Sequence, residues 1–131
     1  MTRCLPLMAV LFVIVSAAGC SNPPLSLSNI QLGRSLNPDR SIASITTLFK
    51  PSETIYVSVQ TLEASSGTVG VKWMFGTQAI DEPTKPVSYD GPASTEFHLQ
   101  NSGGFPAGDY SVEIFLDGQS VGKRVFKVGE P

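Results

Sequence analysis

The chain is poor in the two residue types that most metal and redox sites need, because its 131 residues include one histidine and two cysteines. A blue-copper centre requires two histidines and a cysteine, and a zinc site requires several convergent ligands. Asp81, Glu82 and Asp90 offer carboxylates in one loop, but without the ordered spacing of a calcium-binding loop. We therefore predict no metal and no cofactor.

The single histidine, His98, lies beside Glu96 on the outward face of a predicted strand. A catalytic base needs a nucleophile or a substrate pocket within reach. The sequence has neither a G-x-S-x-G elbow nor an S-x-x-K pair. We interpret His98 as a solvated strand residue and predict no enzyme activity. Catalysis would require a pocket that joins His98 to a carboxylate and a hydroxyl.

Positive charge is also scarce. Nine Lys and Arg residues face eleven Asp and Glu residues, which gives a formal net charge of −2. No basic stripe runs along any predicted strand, so binding to nucleic acid is not expected.

The sequence lacks an apolar run long enough to span a bilayer. Residues 5–18 are almost all apolar and follow the positive charge of Arg3. As a helix this run would measure about 21 Å, which is short of the hydrocarbon core of about 30 Å. Its length instead fits the apolar part of an export signal.

Ala17-Ala18-Gly19-Cys20 ends this run and resembles the lipobox of bacterial lipoproteins. The resemblance implies that diacylglycerol is attached to the Cys20 thiol and that the chain is cut between Gly19 and Cys20. Residues 1–19 would then be a lipoprotein signal peptide, and two or three acyl chains would anchor the protein to a membrane. Ordinary secretion, with Ala17 and Gly19 at the cut site, is the alternative. Ser21 and Asn22 replace the Asp typical of inner-membrane retention, which resembles the pattern directed to the outer membrane, facing the periplasm.

Residues 20–28 are predicted to be the lipidated cysteine and a Pro-rich tether, because Pro23-Pro24 favours an extended spacer. Residues 29–131 are predicted to be one β domain. With Cys4 removed and Cys20 lipidated, this domain has no disulfide and must be stable by packing alone.

From residue 27 onward, Gly and Pro separate short runs of β-branched and aromatic residues, and no helical period is sustained. Strands are predicted at 27–32, 42–49, 54–62, 69–75, 79–80, 95–100, 109–116 and 122–128, with a turn at 65–67. Residues 81–92 are predicted to be mostly loop, with a brief strand near 87–89.

The two-residue turn Asp117-Gly118 creates a conflict in the last hairpin. It would pair Ile114 with Val121 and place Val125 inward, whereas the apolar pattern places Phe126 inward. The conflict predicts a β-bulge near Gly122.

These patterns predict an all-β, antiparallel β-sandwich of seven or eight strands. Trp73 in an early central strand, Tyr110 near the start of the next-to-last strand, and a C-terminal hairpin resemble immunoglobulin-like domains. The stretches FKPSETIYVSV and PAGDYSVEIFLDG resemble the Ig-like modules of bacterial envelope lipoproteins. The resemblance implies that Trp73 is the core tryptophan and Tyr110 the corner tyrosine, although the usual cysteine pair is missing.

The Ig-like strand order would place the strands that begin at residues 69, 109 and 124 side by side. Their outward residues then define a possible partner patch. Its apolar members are Met74, Phe115 and Val125, and its charged members are Lys72, Glu113 and Lys127. Exposed apolar patches often mark partner surfaces, although ordinary surface is the alternative. Phe105 is expected to plug one end of the sandwich.

We therefore predict a lipid-anchored lipoprotein of the cell envelope that acts as a non-catalytic protein-binding or scaffold module. Its partners would be the membrane, through the anchor, and an envelope protein. The alternative is a module that binds glycan or small molecules, which would require an aromatic-lined groove.

Overall fold

The structure, a computed structural model, describes residues 23–129, and within this range it consists of nine β-strands and no helix. No element of this part of the chain is therefore a helix able to span a membrane. The strands are β1 (Leu27–Gly33), β2 (Leu48–Phe49), β3 (Ile55–Thr61), β4 (Ser65–Phe75), β5 (Gln78–Asp81), β6 (Thr84–Tyr89), β7 (Ala93–Leu99), β8 (Gly108–Leu116) and β9 (Gln119–Val128).

The strands form two sheets packed face to face. The smaller sheet has the order β1-β3-β7, and the larger has the order β2-β9-β8-β4-β5. β6 shares one edge of β4 with β5, because it pairs with the first half of β4 and β5 pairs with the second half. The predicted adjacency of β4, β8 and β9 is confirmed, as is the all-β sandwich.

Inward side chains of both sheets form one apolar core around Trp73, which is fully buried. The Trp73 ring meets Phe126 edge to face, with ring centroids 6.1 Å apart. Val57 and Val59 face this cluster from β3 and are also fully buried. Each such side chain contributes about 1.5–3 kcal/mol when removed from water. Packing between the sheets thus holds a domain that contains no cysteine.

The last hairpin contains the predicted β-bulge. Phe115 pairs with Ser120, whereas Ile114 pairs with Gly122, so Val121 is the extra residue. The bulge restores the alternation that buries Phe126 and Val128 and leaves Val125 exposed.

Three features differ from the prediction of seven or eight antiparallel strands. β2 pairs in parallel with β9, and only Leu48 and Phe49 of the predicted strand 42–49 form it. β6 occupies a region that was predicted to be mostly loop. Pro86 misled that prediction, because a proline is tolerated at the edge of a sheet, where no ladder bond is lost. β4 begins at Ser65 rather than after a turn at 65–67, because β6 pairs with its first residues.

Residues 34–46, which we call the flap, fold back over the outer face of the smaller sheet. Ile42 is buried there, and its backbone N–H donates to Gln31 Oε1 at 3.3 Å. At the base of the flap, the Arg34 N–H donates to Ser44 O at 3.0 Å. The Arg34 guanidinium contacts Glu53 at 2.9 Å. The pKa of Glu53 is lowered, mainly because the Lys50 N–H donates to its carboxylate and to a smaller extent because of Arg34.

The chain enters the domain at one end of the sandwich. Leu25 is already buried beside Gly67, and Leu62 N donates to Ser26 O at 3.0 Å. Packing therefore begins within residues 20–28, the range predicted to be the tether. We call this the proximal end, and it contains the turns at 62–64, 90–92 and 117–118. The opposite, distal end contains the turn at 76–77 and the loops at 50–54 and 100–107.

Gly33 lies where the flap leaves β1, and no side chain fits there. A Cβ at this position would lie 2.2 Å from Ser44 O, a backbone atom that moves only with the flap. We expect Gly33→Ala to lower the free energy of unfolding by about 1–3 kcal/mol through overpacking. Gly91→Ala is the matched control, because nothing lies within 4 Å of its Cβ position. Urea denaturation of both variants measures the difference, and equal midpoints would contradict the close approach.

Candidate functional site

The outer face of the larger sheet carries all six residues of the predicted partner patch. Ser111 of β8 lies opposite Met74 on one side and Val125 on the other. Two residues further along β8, Glu113 lies opposite Lys72 and Lys123.

The apolar members of the patch are not continuous. Phe115 lies beyond Glu113, opposite Gly70 and Ser120, so a row of charged residues separates it from Met74 and Val125. Phe115 and Met74 are half-buried, whereas Val125 is 67% exposed. Lys127 forms an exposed ion pair with Asp109 at 3.3 Å. The patch therefore divides, and its most exposed apolar residue lies on β9.

Val125 borders a shallow depression of about 450 Å³ between β2, β9 and β8. Leu48 of β2 lies on the same depression and is 46% exposed. The Lys127–Asp109 ion pair forms its polar rim. We call this the β2–β9 depression. Sequence reasoning did not include Leu48, because the short parallel pairing of β2 with β9 leaves no periodic signal.

A second open concavity, which we call the distal groove, has a volume of about 350 Å³ and lies between β5 and the end of β7. Its floor contains the buried residues Leu99, Phe105 and Tyr110 and the half-buried ring of Phe75. Phe105 thus fills one end of the sandwich, as predicted. The walls carry Ile80 and three side-chain amides, those of Gln78, Gln100 and Asn101.

Tyr110 fixes the floor of this groove. Its hydroxyl donates to Pro106 O at 2.6 Å, four residues earlier in the chain. Its ring lies between Phe75 and Phe126, with centroids 4.7 and 5.4 Å away. Burial raises the pKa of the Tyr110 hydroxyl. This bond from the start of the next-to-last strand is the corner contact that the sequence resemblance implied for Tyr110.

The outer face of the smaller sheet holds a polar cluster around Glu96, which is 7% exposed. His98 Nδ1 lies 2.5 Å from Glu96 Oε2, and Arg40 of the flap lies 3.5 Å from the other carboxylate oxygen. Lys85 of β6 donates to the Glu96 carbonyl oxygen. His98 is half-exposed and outward, as predicted, but the burial of Glu96 was not foreseen, because it depends on the flap.

This cluster joins His98 to a carboxylate, which was one requirement for catalysis. The half-buried Tyr56 lies opposite His98, and the centroids of the two rings are 5.5 Å apart, whereas the nearby serine hydroxyl is shielded. Ser58 lies opposite Glu96 on β3 and is fully buried. Among the described residues its Oγ has no hydrogen-bond partner. A substrate could not reach Ser58 without displacing the flap.

The other predicted site residues lie apart or outside the described range. Asp81, Glu82 and Asp90 are exposed, and within residues 23–129 no three His, Cys, Asp or Glu side chains are grouped to hold a metal ion. Gly19 and Cys20, the predicted cleavage and lipidation residues, lie outside the described residues, so both stay predictions.

Comparisons of structure show the same fold in other proteins. The chain is similar to an immunoglobulin-like protein from Pseudomonas aeruginosa, with a TM-score of 0.57 and 11% identity over 82% of this chain and 98% of that one. It is also similar to part of an alkylpurine DNA glycosylase from Pseudomonas fluorescens (TM-score 0.51, 12% identity, 80% of this chain and 30% of that one). A β-glucosidase from Listeria innocua gives a TM-score of 0.50 and 13% identity over 78% of this chain and 16% of that one.

The chain thus spans nearly all of the first of these structures and less than a third of the two enzymes. At identities this low, structural similarity shows the fold alone. The similarity to the immunoglobulin-like protein confirms the predicted Ig-like sandwich. No family model and no curated protein sequence matches the chain.

The corner bond of Tyr110 gives a stability prediction. Tyr110→Phe keeps the ring stack and removes only the hydroxyl that donates to Pro106. We expect it to lower the free energy of unfolding by about 1 kcal/mol, the net value of one hydrogen bond. Urea denaturation measures this loss, and the slope of the free energy of unfolding against urea concentration should not change. A variant as stable as the wild type would show that the corner bond contributes nothing.

Proposed function

We propose that this protein is a lipid-anchored, non-catalytic binding module of the bacterial cell envelope. Its partner would be a protein that docks at the β2–β9 depression. The observation that carries the proposal is the exposure of Leu48 and Val125 around this depression. Such exposed apolar concavities are typical of partner surfaces.

The lining of the depression indicates the chemistry of the partner. Leu48 and Val125 offer contact to an apolar side chain, which would lose its own water on insertion. Lys127 and Asp109 at the rim offer one group of each sign, both highly exposed. A partner that presents an apolar side chain within a polar surround would match this arrangement.

The N-terminal sequence supports the position in the envelope. The apolar run 5–18 leads directly to the lipobox-like residues before Cys20. Only four residues separate Cys20 from Leu25, the first core residue. At about 3 Å per residue the tether would be about 12 Å long, so lipidation would hold the proximal end close to the membrane. Ser21 and Asn22 favour the outer membrane, with the domain in the periplasm.

The polar cluster supports the non-catalytic part of the proposal. Glu96 contacts Arg40, Lys85 and His98, which come from the flap, β6 and β7. These contacts fasten three elements together, and the neighbouring hydroxyl of Ser58 is shielded. The cluster therefore has a structural explanation that needs no substrate.

The anchor can be tested by fractionation of cells. We expect the wild-type protein to sediment with membranes and Cys20→Ala to become soluble, because the variant has no thiol for the first acyl chain. Immunoblots of the two fractions, with the domain intact in both, measure the difference. Identical membrane association of the two proteins would refute lipidation.

The docking surface can be tested with a photoreactive benzoylphenylalanine in place of Val125. We expect one discrete cross-linked product in living cells, which Leu48→Lys abolishes, because a charge replaces apolar contact area in the depression. The matched control places the photoreactive residue at Leu62. Leu62 is as exposed as Leu48, at 46%, but it lies at the proximal end. The same product from both positions, or a product that persists with Leu48→Lys, would contradict docking at the depression.

A further inference from the structure

We propose that the distal groove is a binding site for a neutral saccharide. This site is a different concavity from the β2–β9 depression, with only Tyr110 bordering both among the described residues, and it does not depend on the protein partner. The proposal rests on three features of the groove: the apolar surface of Phe75 and Ile80 above buried aromatic rings, the uncharged amide walls, and a second polar depression beside it.

The floor is held in place before any ligand arrives. Phe105 N donates to Pro51 O at 2.9 Å, and its ring meets Tyr110 edge to face, with centroids 6.1 Å apart. The Tyr110 hydroxyl is held by Pro106. Phe75 and Ile80 keep part of their apolar surface exposed in the groove. A sugar ring has apolar C–H faces, and a fixed apolar surface can receive one without the cost of ordering itself.

The walls provide hydrogen bonds without charge. Among the described residues, none that lines the groove carries a formal charge, and the polar side chains of the lining other than Tyr110 are amides. The side-chain amide of Gln78 offers two donors and an acceptor, and that of Gln100 keeps one donor and its acceptor, because its other N–H donates to Thr54. A sugar hydroxyl is both donor and acceptor, so it matches such walls. An anionic ligand or a cationic peptide would find no opposite charge there.

A second, smaller depression of about 230 Å³ adjoins the groove and shares Gln100 and Asn101 with it. It is lined by the hydroxyl residues Ser52, Thr54 and Ser102 and by one charged residue, Glu53, which already pairs with Arg34. Gln100 Nε2 donates to Thr54 Oγ1 at 3.0 Å, which orients the shared wall. Two adjoining depressions fit neighbouring rings of an oligosaccharide better than a single small molecule.

The position of the groove also suits a ligand in the surrounding medium. The groove lies at the distal end, whereas the chain enters at the proximal end. The seven residues of β1 alone separate the two ends by about 23 Å. A membrane-anchored domain would present this groove away from the bilayer.

The test uses the full chain, purified in a detergent without a sugar headgroup, and isothermal titration calorimetry. The probes are maltotriose, N,N′,N″-triacetylchitotriose and the uncharged tripeptide acetyl-Ala-Ala-Ala-amide, each at millimolar concentration. We expect at least one saccharide to bind and the tripeptide not to bind. Combining Gln78→Ala with Gln100→Ala should weaken saccharide binding by about fivefold to tenfold, the loss of one or two neutral hydrogen bonds.

Gln119→Ala is the matched control, because Gln119 is exposed at the proximal end, and it should bind the saccharide as the wild type does. Circular dichroism and the urea midpoint confirm that the variants are folded. The proposal is overturned if neither saccharide binds, if only the tripeptide binds, or if the double variant and Gln119→Ala bind the saccharide equally.

Discussion

The burial of Trp73 between the two sheets, where its ring contacts Phe126 of its own sheet, is the constraint on which the rest of the structure depends. Many Ig-like domains place a disulfide beside this tryptophan, but the described domain has no cysteine. Here Trp73 contacts Phe126, Phe126 stacks on Tyr110, and Tyr110 continues the series of rings to Phe75 at the distal groove. Core packing and the floor of the groove are therefore one continuous set of rings. A change at Phe126 would act on both.

The sequence predicted those parts of the fold that follow from local alternation. The inner rows of β3, β4 and β8 have a period of two, and the bulge in β9 follows from a conflict of parity around Asp117-Gly118. The flap was missed and only the end of β6 was predicted, because their positions depend on contacts with other elements and Pro86 argued against a longer strand. The flap decides that Glu96 and Ser58 are buried, so the polar cluster was equally hidden from the sequence.

The sequence placed the residues of the partner patch on the correct face of the sheet, but it did not predict which of them are neighbours. All six residues of the partner patch do lie on the outer face of the larger sheet. Register, however, decides which outward residues are neighbours, and it inserts Glu113 between Phe115 and Val125. Leu48 joins Val125 only through a parallel pairing of two residues, which no pattern in the sequence announces. The amides of the distal groove come from separate segments and meet only in the folded domain.

The bulge at Val121 has a consequence for how this chain can change during evolution. In a regular strand, loss of one residue moves every later side chain to the opposite face. Here deletion of Val121 can be absorbed by straightening the bulge, because Val121 is the extra residue and Gly122 keeps its place opposite Ile114. Phe126 and Val128 would keep their inward orientation. An inserted residue cannot be absorbed in this way, so β9 tolerates the loss of one residue at the bulge better than the gain of one.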